Sequence, residues 1–153
     1  MKLYIETSVV GFMFATDAPE KMEITKQFFD KEIEKHTPFV SELVLEEIEK
    51  TKEESKRNML KGVIRSHNLK ALERTDEAEK LAKEYLKEGV ASEKHFNDPL
   101  HIALAVVHGM DAIVSWNLEH IVKLKTMAII RKVNKRLEYP DILIVTPEEV
   151  IEE

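Results

Sequence analysis

Short β-rich runs alternate along this chain with segments long enough to form helices of ten or more residues. The runs that indicate strands are KLYIE, TPFVS, AIVSW and DILIVT, and helical periodicity lies between them. Strands joined in this way form βαβ units, because two neighbouring parallel strands need a long crossover connection. We therefore predict an α/β fold in which residues 1–153 form a single domain with a parallel sheet covered on both faces.

The ends of the helices are predicted from capping residues and stop signals. Ser41, Asp76 and Asp98 are predicted to be helix caps, and Pro147 is expected to open a last short helix. The predicted helices are residues 20–35, 41–52, 54–65, 76–89, 98–109, a stretch after Trp116 that reaches residue 137, and the segment from Pro147.

The composition excludes several kinds of site. The chain has no cysteine, which excludes disulfides, thiolate nucleophiles and cysteine–zinc sites. Only four glycines are present, and they form neither a Walker loop nor a GxGxxG turn. The start, MKLYIE, has no signal-peptide character, and no apolar run is long enough to span a bilayer. We expect a cytoplasmic protein without a membrane partner.

Charge is unevenly distributed. The formal net charge of −6 argues against a protein that simply coats nucleic acid. Residues 120–137, however, contain no acidic residue, and we call the basic side chains of this segment the basic stripe. The basic stripe consists of Lys123, Lys125, Arg131, Lys132, Lys135 and Arg136. It is compatible with binding phosphates, although the solvated face of an amphipathic helix explains it equally well.

Oxygen-bearing side chains follow the predicted strands, at the sheet edge where ligands bind in parallel α/β folds. Glu6 follows the first strand, Glu47 lies in the helix after the second, and Asn117 follows the third. Asp98 opens an apolar helix whose amino end should point to the same edge. We predict that these four residues converge and that the histidines lie elsewhere.

Helical phase distinguishes Glu47 from its neighbours Glu46 and Glu49. With Leu43 at 0°, Glu47 falls at about 40°, inside the apolar arc, whereas Glu46 and Glu49 fall at about 300° and 240°, outside it. A carboxylate that faces a core is costly unless it is paired or binds a cation. Glu47 is therefore the candidate ligand, and the other two are interpreted as surface charges.

Each candidate also has a purely structural explanation. Glu6 could pair with a lysine, Asp98 could serve only as a cap, and Asn117 could be a turn residue. Convergence of all four favours a site, and carboxylate and amide oxygens suit Mg²⁺ or Mn²⁺ better than zinc. His101, one turn after Asp98, is interpreted mainly as a packing residue that could orient Asp98 or contact a substrate.

Four segments resemble, in order, the four acidic motifs of the PIN domain family. They are YIETSVVGFMF, SELVLEEI, FNDPLHIALA and IVSWNLEHI. The resemblance extends from Met1 to the final TPEEV. It implies a three-layer α/β/α sandwich with a central parallel sheet, and RNA cleavage that depends on Mg²⁺ or Mn²⁺. Many short members are the toxins of toxin–antitoxin pairs, and many are homodimers.

The resemblance also assigns residues. The catalytic and metal-binding residues it implies are Glu6, Glu47, Asp98 and Asn117. Glu6 and Asn117 stand where the family has aspartates, so Asn117 would weaken a second cation more than the first. The substrate-binding residues that we predict are the hydroxyl residues Thr7, Ser8 and Ser115, which match family positions, and Lys123, Lys125 and Arg131 of the basic stripe, which would contact the RNA backbone.

Two other classes of function remain open. A PIN-fold module that binds nucleic acid or protein without catalysis is motivated by Asn117, and it predicts metal-independent RNA binding by the basic stripe. A metal-dependent phosphohydrolase of small phosphate esters is less favoured, because the chain has no candidate nucleophile and no glycine-rich phosphate loop. The helices of residues 20–65 carry more apolar residues than one sheet face needs, which suits self-association.

Overall fold

Five parallel strands form the centre of the structure, a computed structural model that describes residues 1–151. The strands are β1 (Lys2–Ile5), β2 (Thr37–Ser41), β3 (Lys70–Leu72), β4 (Ala112–Val114) and β5 (Leu143–Val145). Their order in the sheet is β3-β2-β1-β4-β5. All four pairs are parallel, and in the central strand Tyr4 lies opposite Phe39 on one side and Ile113 on the other.

Helices connect each strand to the next and give the predicted α/β/α architecture. They are α1 (Thr7–Phe12), α2 (Pro19–Gln27), α3 (Glu42–Glu49), α4 (Glu54–Ser66), α5 (Asp76–Lys87), α6 (Asn97–Val107), α7 (Leu124–Arg136) and α8 (Pro147–Val150). Within residues 1–151, none of these helices has the length and apolar character that a membrane span requires.

The core lies around β1 and α6. Leu3, Tyr4 and Ile5 of β1 are at most 1% exposed, as expected for the central strand of a sheet covered on both faces. In α6 all eight residues from 99 to 106 are buried. A helix that is apolar on every side must be surrounded by protein, so α6 is a fixed element, and its amino end lies at the carboxyl edge of the sheet.

Three predicted features of the secondary structure are wrong. β3 was not predicted, because it has only three residues, none of them buried, and pairs only with β2. The helix expected at residues 20–35 is interrupted, since α2 passes into a π-helical turn, Phe28–Glu32, and a 3-10 turn, Ile33–Lys35. The segment after Trp116 becomes helical only at Leu124.

Two of the three predicted caps are also wrong. Ser41 caps α3, because its hydroxyl accepts a hydrogen bond from the N–H of Val44. At α5 the capping side chain is Thr75, and Asp76 lies inside the first turn. Asp98 likewise lies inside the first turn of α6, which begins at Asn97 without a capping side chain. The negative charge of Asp98 still interacts favourably with the positive end of the helix dipole.

Candidate metal centre

Glu6 lies directly after β1 and is only 6% exposed. Its Oε1 accepts hydrogen bonds from the hydroxyls of Ser8, at 2.6 Å, and Ser115, at 2.5 Å. Its Oε2 accepts the backbone N–H of Ser8 at 3.1 Å. A carboxylate has about four acceptor positions, so these three hydrogen bonds hold the side chain in place and leave one position for a ligand.

Glu47 projects from α3 towards Glu6, and 25% of its side chain is exposed. Its Oε1 accepts hydrogen bonds from the Thr7 hydroxyl at 2.5 Å and from His101 Nε2 at 2.7 Å. Its Oε2 accepts the Asn97 side-chain amide at 3.1 Å. Burial alone would raise the pKa of Glu47, but these hydrogen bonds and the charge of His101 outweigh burial and lower it to about 2. Glu47 is therefore ionised at neutral pH.

The neighbours of Glu47 in α3 face solvent. Glu46 pairs with Arg74 at 2.8 Å, and Glu49 pairs with Lys61. Both glutamates are exposed, whereas Glu47 is partly buried. The helical phase that separated Glu47 from the two surface charges is confirmed by this arrangement.

His101 is the member of the centre whose contact with Glu47 the sequence did not predict. It is 1% exposed, and its Nδ1 lies 2.6 Å from the Tyr4 hydroxyl, which in turn contacts the Ser41 hydroxyl at 2.7 Å. Burial lowers the pKa of His101. The hydrogen bond to Glu47 and the nearby carboxylate charges raise the pKa by more than burial lowers it, so the net shift is upward. The prediction that histidines lie away from this edge is wrong.

Glu6, Glu47 and His101 offer donor atoms that all lie within 4.8 Å of one another, and we call them the acidic group. Asp98 contacts a different partner, because its Oδ2 lies 2.8 Å from His120 Nδ1. The two regions adjoin at the start of α6, where the charge of Asp98 contributes to the raised pKa of His101. Within the described residues, Glu6 and Glu47 therefore share one group, whereas Asp98 lies in a neighbouring group with His95 and His120.

Comparison with known proteins bears on the fold. No protein-family model matches the sequence, and no curated protein matches it. Among solved structures, the chain is similar to the crystal structure of VapBC2 from Rickettsia felis bound to a DNA fragment from their promoter. The match covers 95% of this chain and 98% of that chain, with a TM-score of 0.57 and 14% sequence identity.

The chain has the PIN-domain fold. The resemblance of the four motifs is thereby confirmed at the level of the fold. At 14% identity the similarity supports a shared architecture and not a shared activity. Any chemistry therefore has to be inferred from the residues of this chain.

The three hydroxyl residues predicted to line the site all contact the carboxylate of Glu6 or of Glu47. Thr7 donates to Glu47, whereas Ser8 and Ser115 donate to Glu6. Ser8 Oγ also accepts the backbone N–H of Trp116 at 2.9 Å, and Ser115 Oγ accepts that of Asn117 at 2.9 Å. These hydroxyls therefore link the loop after β4 to the start of α1 and orient both carboxylates.

Asn117 uses its side chain in a turn. Its Oδ1 accepts the backbone N–H of His120 at 3.0 Å, which matches the structural explanation given for it above. The same oxygen retains a second acceptor position. The turn brings His120 against Asp98.

We expect Asn117→Asp to keep this turn, because a carboxylate oxygen accepts the same N–H, and to add a negative charge beside the centre. The affinity of this variant for Mn²⁺ should rise roughly tenfold. The corresponding gain in binding free energy lies between the attraction of two charges in water and their attraction near a protein surface. Asn117→Ala should lower the free energy of unfolding by about 1 kcal/mol through the lost hydrogen bond. Calorimetric titration and urea denaturation measure the two effects. An unchanged Mn²⁺ affinity in Asn117→Asp would place the cation away from this residue.

The basic residues divide between the two edges of the sheet. Lys123 and Lys125 are exposed at the start of α7, three and five residues after His120, and neither has an ion pair within residues 1–151. Arg131 lies 3.9 Å from Asp141 and lines a cavity with Asp111. Those aspartates precede β5 and β4, at the amino edge of the sheet. The structure does not bring Arg131 together with Glu6 or Glu47.

Two other residues of the basic stripe form ion pairs with α5 and with the residue that follows it. Lys132 lies 3.1 Å from Glu88, and Arg136 lies 3.2 Å from Glu84. These exposed pairs contribute little to stability. They direct this part of the basic stripe towards α5, so it is less suited to binding RNA than Lys123 and Lys125.

Acid should destabilise the metal-free protein through Glu47. Because its folded pKa of about 2 lies below the ordinary value of 4.5, its ionisation stabilises the fold above pH 4.5. That contribution is lost as the pH falls towards 2. In Glu47→Gln the free energy of unfolding should fall less steeply with decreasing pH across this interval. The two slopes should differ by the equivalent of about one proton taken up on unfolding. Urea denaturation of metal-stripped protein at a series of pH values tests this, and equal slopes for the two proteins would contradict it.

Proposed function

We propose that this protein is a ribonuclease that requires a divalent metal ion and hydrolyses phosphodiester bonds in single-stranded or structured RNA. The observation that carries the proposal is the convergence of Glu6 and Glu47, from different elements, at the carboxyl edge of a PIN-fold sheet. Two carboxylates held this close repel each other unless positive charge lies between them. In the metal-free protein that charge comes from His101.

The donor set fits a hard dication. Each of the two glutamates accepts three hydrogen bonds and keeps one acceptor position. Carboxylate oxygens of this kind bind Mg²⁺ or Mn²⁺. In this proposal Glu6, Glu47 and Asp98 hold the cation, and Asn117 assists it or a weaker second one. A bound dication lowers the pKa of a coordinated water and neutralises charge on the phosphate oxygens.

Other residues position the substrate and the ligands. Thr7, Ser8 and Ser115 hold the carboxylates in one orientation, so the centre needs little rearrangement during the reaction. Lys123 and Lys125 contact RNA phosphates, which fixes the position of the strand without reading its sequence. Arg131 is left out of this substrate site because of its place at the opposite edge.

The biological setting in this proposal is a toxin–antitoxin pair. The solved structure to which the chain is similar is VapBC2 on a fragment of promoter DNA, and we propose by analogy that this chain has an antitoxin partner and forms a homodimer. Leu45 of α3 and Met59 of α4 are 36% and 47% exposed, which supports an association surface on these helices. Light scattering of the purified chain, and co-purification with the product of the neighbouring gene, test the two assemblies.

A PIN-fold module that binds RNA without cleaving it is the competing function. The observation that favours it is Asn117, whose neutral side chain is engaged in a turn. The ribonuclease requires that cleavage of single-stranded RNA occur with Mn²⁺ or Mg²⁺ and stop in EDTA. The binding module instead predicts equal RNA binding with and without EDTA, and no cleavage.

A further inference from the structure

Two histidines and an aspartate lie together beside the acidic group. His95 ends a 3-10 turn, Glu93–His95, Asp98 lies in the first turn of α6, and His120 lies in the loop between β4 and α7. Their donor atoms all lie within 4.8 Å of one another. We infer that His95, Asp98 and His120 form a binding site for a transition-metal dication such as Zn²⁺, Co²⁺ or Mn²⁺, and we call them the imidazole group.

His120 is held in place from three sides. Its N–H donates to Asn117 Oδ1 at 3.0 Å, and its carbonyl accepts the hydroxyl of Thr126 at 2.7 Å. Thr126 is 3% exposed, so this anchor belongs to the buried part of α7. The ring then contacts Asp98 at 2.8 Å. Hydrogen bonds that fix a ligand before the metal arrives are what raise the affinity of metal sites.

The second ring completes the arrangement. The centroids of His95 and His120 are 4.7 Å apart, and the ring planes are inclined by 40°. Donors around a tetrahedral zinc ion lie roughly 3.4 Å apart, given ligand distances of about 2.0–2.2 Å. Small rotations of the two rings therefore bring all three donors onto one ion. The turn and α6 are joined by the single residue Phe96, which keeps His95 and Asp98 on the same side.

The donor types decide which metals fit. Imidazole nitrogens suit zinc and the later first-row metals, whereas Mg²⁺ prefers oxygen ligands in an octahedron. The imidazole group should therefore bind Zn²⁺ or Co²⁺ more tightly than Mg²⁺. Three protein ligands leave a coordination position open to water or to a phosphate oxygen, as in catalytic rather than structural zinc sites.

This site goes beyond the proposed ribonuclease. Glu6 and Glu47 do not belong to it, and its occupancy can be measured without RNA. Asp98 is the residue that both sites use. If RNA is cleaved, a cation held by the imidazole group would lie next to the acidic group. It would supply positive charge there although Asn117, unlike an aspartate, attracts no second cation.

Titration with Co²⁺ tests the inference, because the absorption spectrum of this ion reports its ligands directly. The full chain is prepared without a histidine tag and stripped of metal. His95→Gln and His120→Gln should each weaken Co²⁺ binding by at least about tenfold and leave Mg²⁺ binding unchanged. His108→Gln is the matched control, since its Nε2 lies 2.7 Å from the Glu73 carbonyl, outside the group; its Co²⁺ binding should equal that of the wild type.

Further results support or overturn the inference. Imidazole nitrogen coupling in pulsed electron paramagnetic resonance of a bound Cu²⁺ should change from two coupled imidazoles in the wild type to one in each single variant. Co²⁺ binding that is lost in Glu47→Gln but retained in both histidine variants would overturn the inference, as would a wild type that prefers Mg²⁺. A wild type that binds Co²⁺ through these histidines but cleaves no RNA would support the site and contradict the ribonuclease. Both variants should stay folded, which thermal unfolding checks, because the hydrogen bonds of His120 to Asn117 and Thr126 are made by its backbone.

Discussion

Replacing Glu47 with glutamine is expected to lower the rate of RNA cleavage by at least about 100-fold, the upper end of the loss seen when only a supporting residue of a metal site is changed. Glutamine has nearly the same size but no charge, and its NH₂ group would face the donors that now point at the carboxylate. Those donors are Thr7, Asn97 and His101. Cleavage is measured on single-stranded RNA with Mn²⁺, with Asp98→Asn as a second variant that should lose a similar factor.

The control for this experiment is one residue away. Glu46→Gln makes the same chemical change on the solvent side of α3, where Glu46 is half exposed and pairs with Arg74. It should cleave at the rate of the parent. All proteins are purified identically, so a contaminating nuclease would give the same rate in every preparation. Full activity in Glu47→Gln that co-elutes with the protein through a further column, as a contaminant would not, would show that the assigned centre is wrong.

The second large effect is expected in the loop that follows β4. Trp116→Ala should lower the free energy of unfolding by about 3–5 kcal/mol, as is typical when a buried tryptophan is truncated. Trp116 is 7% exposed, and its indole N–H donates to the buried Thr25 hydroxyl at 2.8 Å. Its ring lies 6.0 Å from that of Phe12, and Lys21 Nζ lies 5.3 Å from its centroid. The side chain therefore joins this loop to α1 and α2.

Trp116→Phe is the matched variant, because it keeps an aromatic ring and removes the indole hydrogen bond. It should cost only about 1–2 kcal/mol. Since Trp116 is the sole tryptophan of the chain, unfolding in urea has to be followed by circular dichroism rather than by fluorescence. Equal losses in the two variants would mean that ring packing contributes nothing, in contradiction to the contacts described above.

Much of the fold was predictable because the spacing of apolar residues along the sequence reflects which side chains are buried. The buried strand at residues 2–5 and the apolar helix α6 have patterns that only a covered parallel sheet explains. β3 was missed for the same physical reason, since its residues are not buried and its pairing is made only with β2. The caps failed where two polar residues adjoin, as at Thr75 and Asp76, because either side chain could have accepted the bond.

Within the centre, the carboxylates were easier to predict than the histidines. Glu47 falls on the apolar face of its helix, and that conflict is visible in the sequence. His101 gave no such conflict, because a neutral imidazole on a buried helix is ordinary. Its contact with Glu47 depends on how α3 packs beside α6, which no local pattern encodes. The spacing of His95 and Asp98, three residues apart, was a signal that could have been used.

The partners of the centre are far apart along the chain, and this has a consequence for protein synthesis. Glu6 is synthesised well before Ser115, whose hydroxyl holds it and lies 109 residues later in the chain. A nascent chain that is still attached to the ribosome before β4 has emerged contains Glu6 but not the loop that orients it. If the folded protein cuts RNA, a nascent chain without this loop has not yet oriented Glu6, and the messenger being translated is spared until β4 and the loop after it have been made.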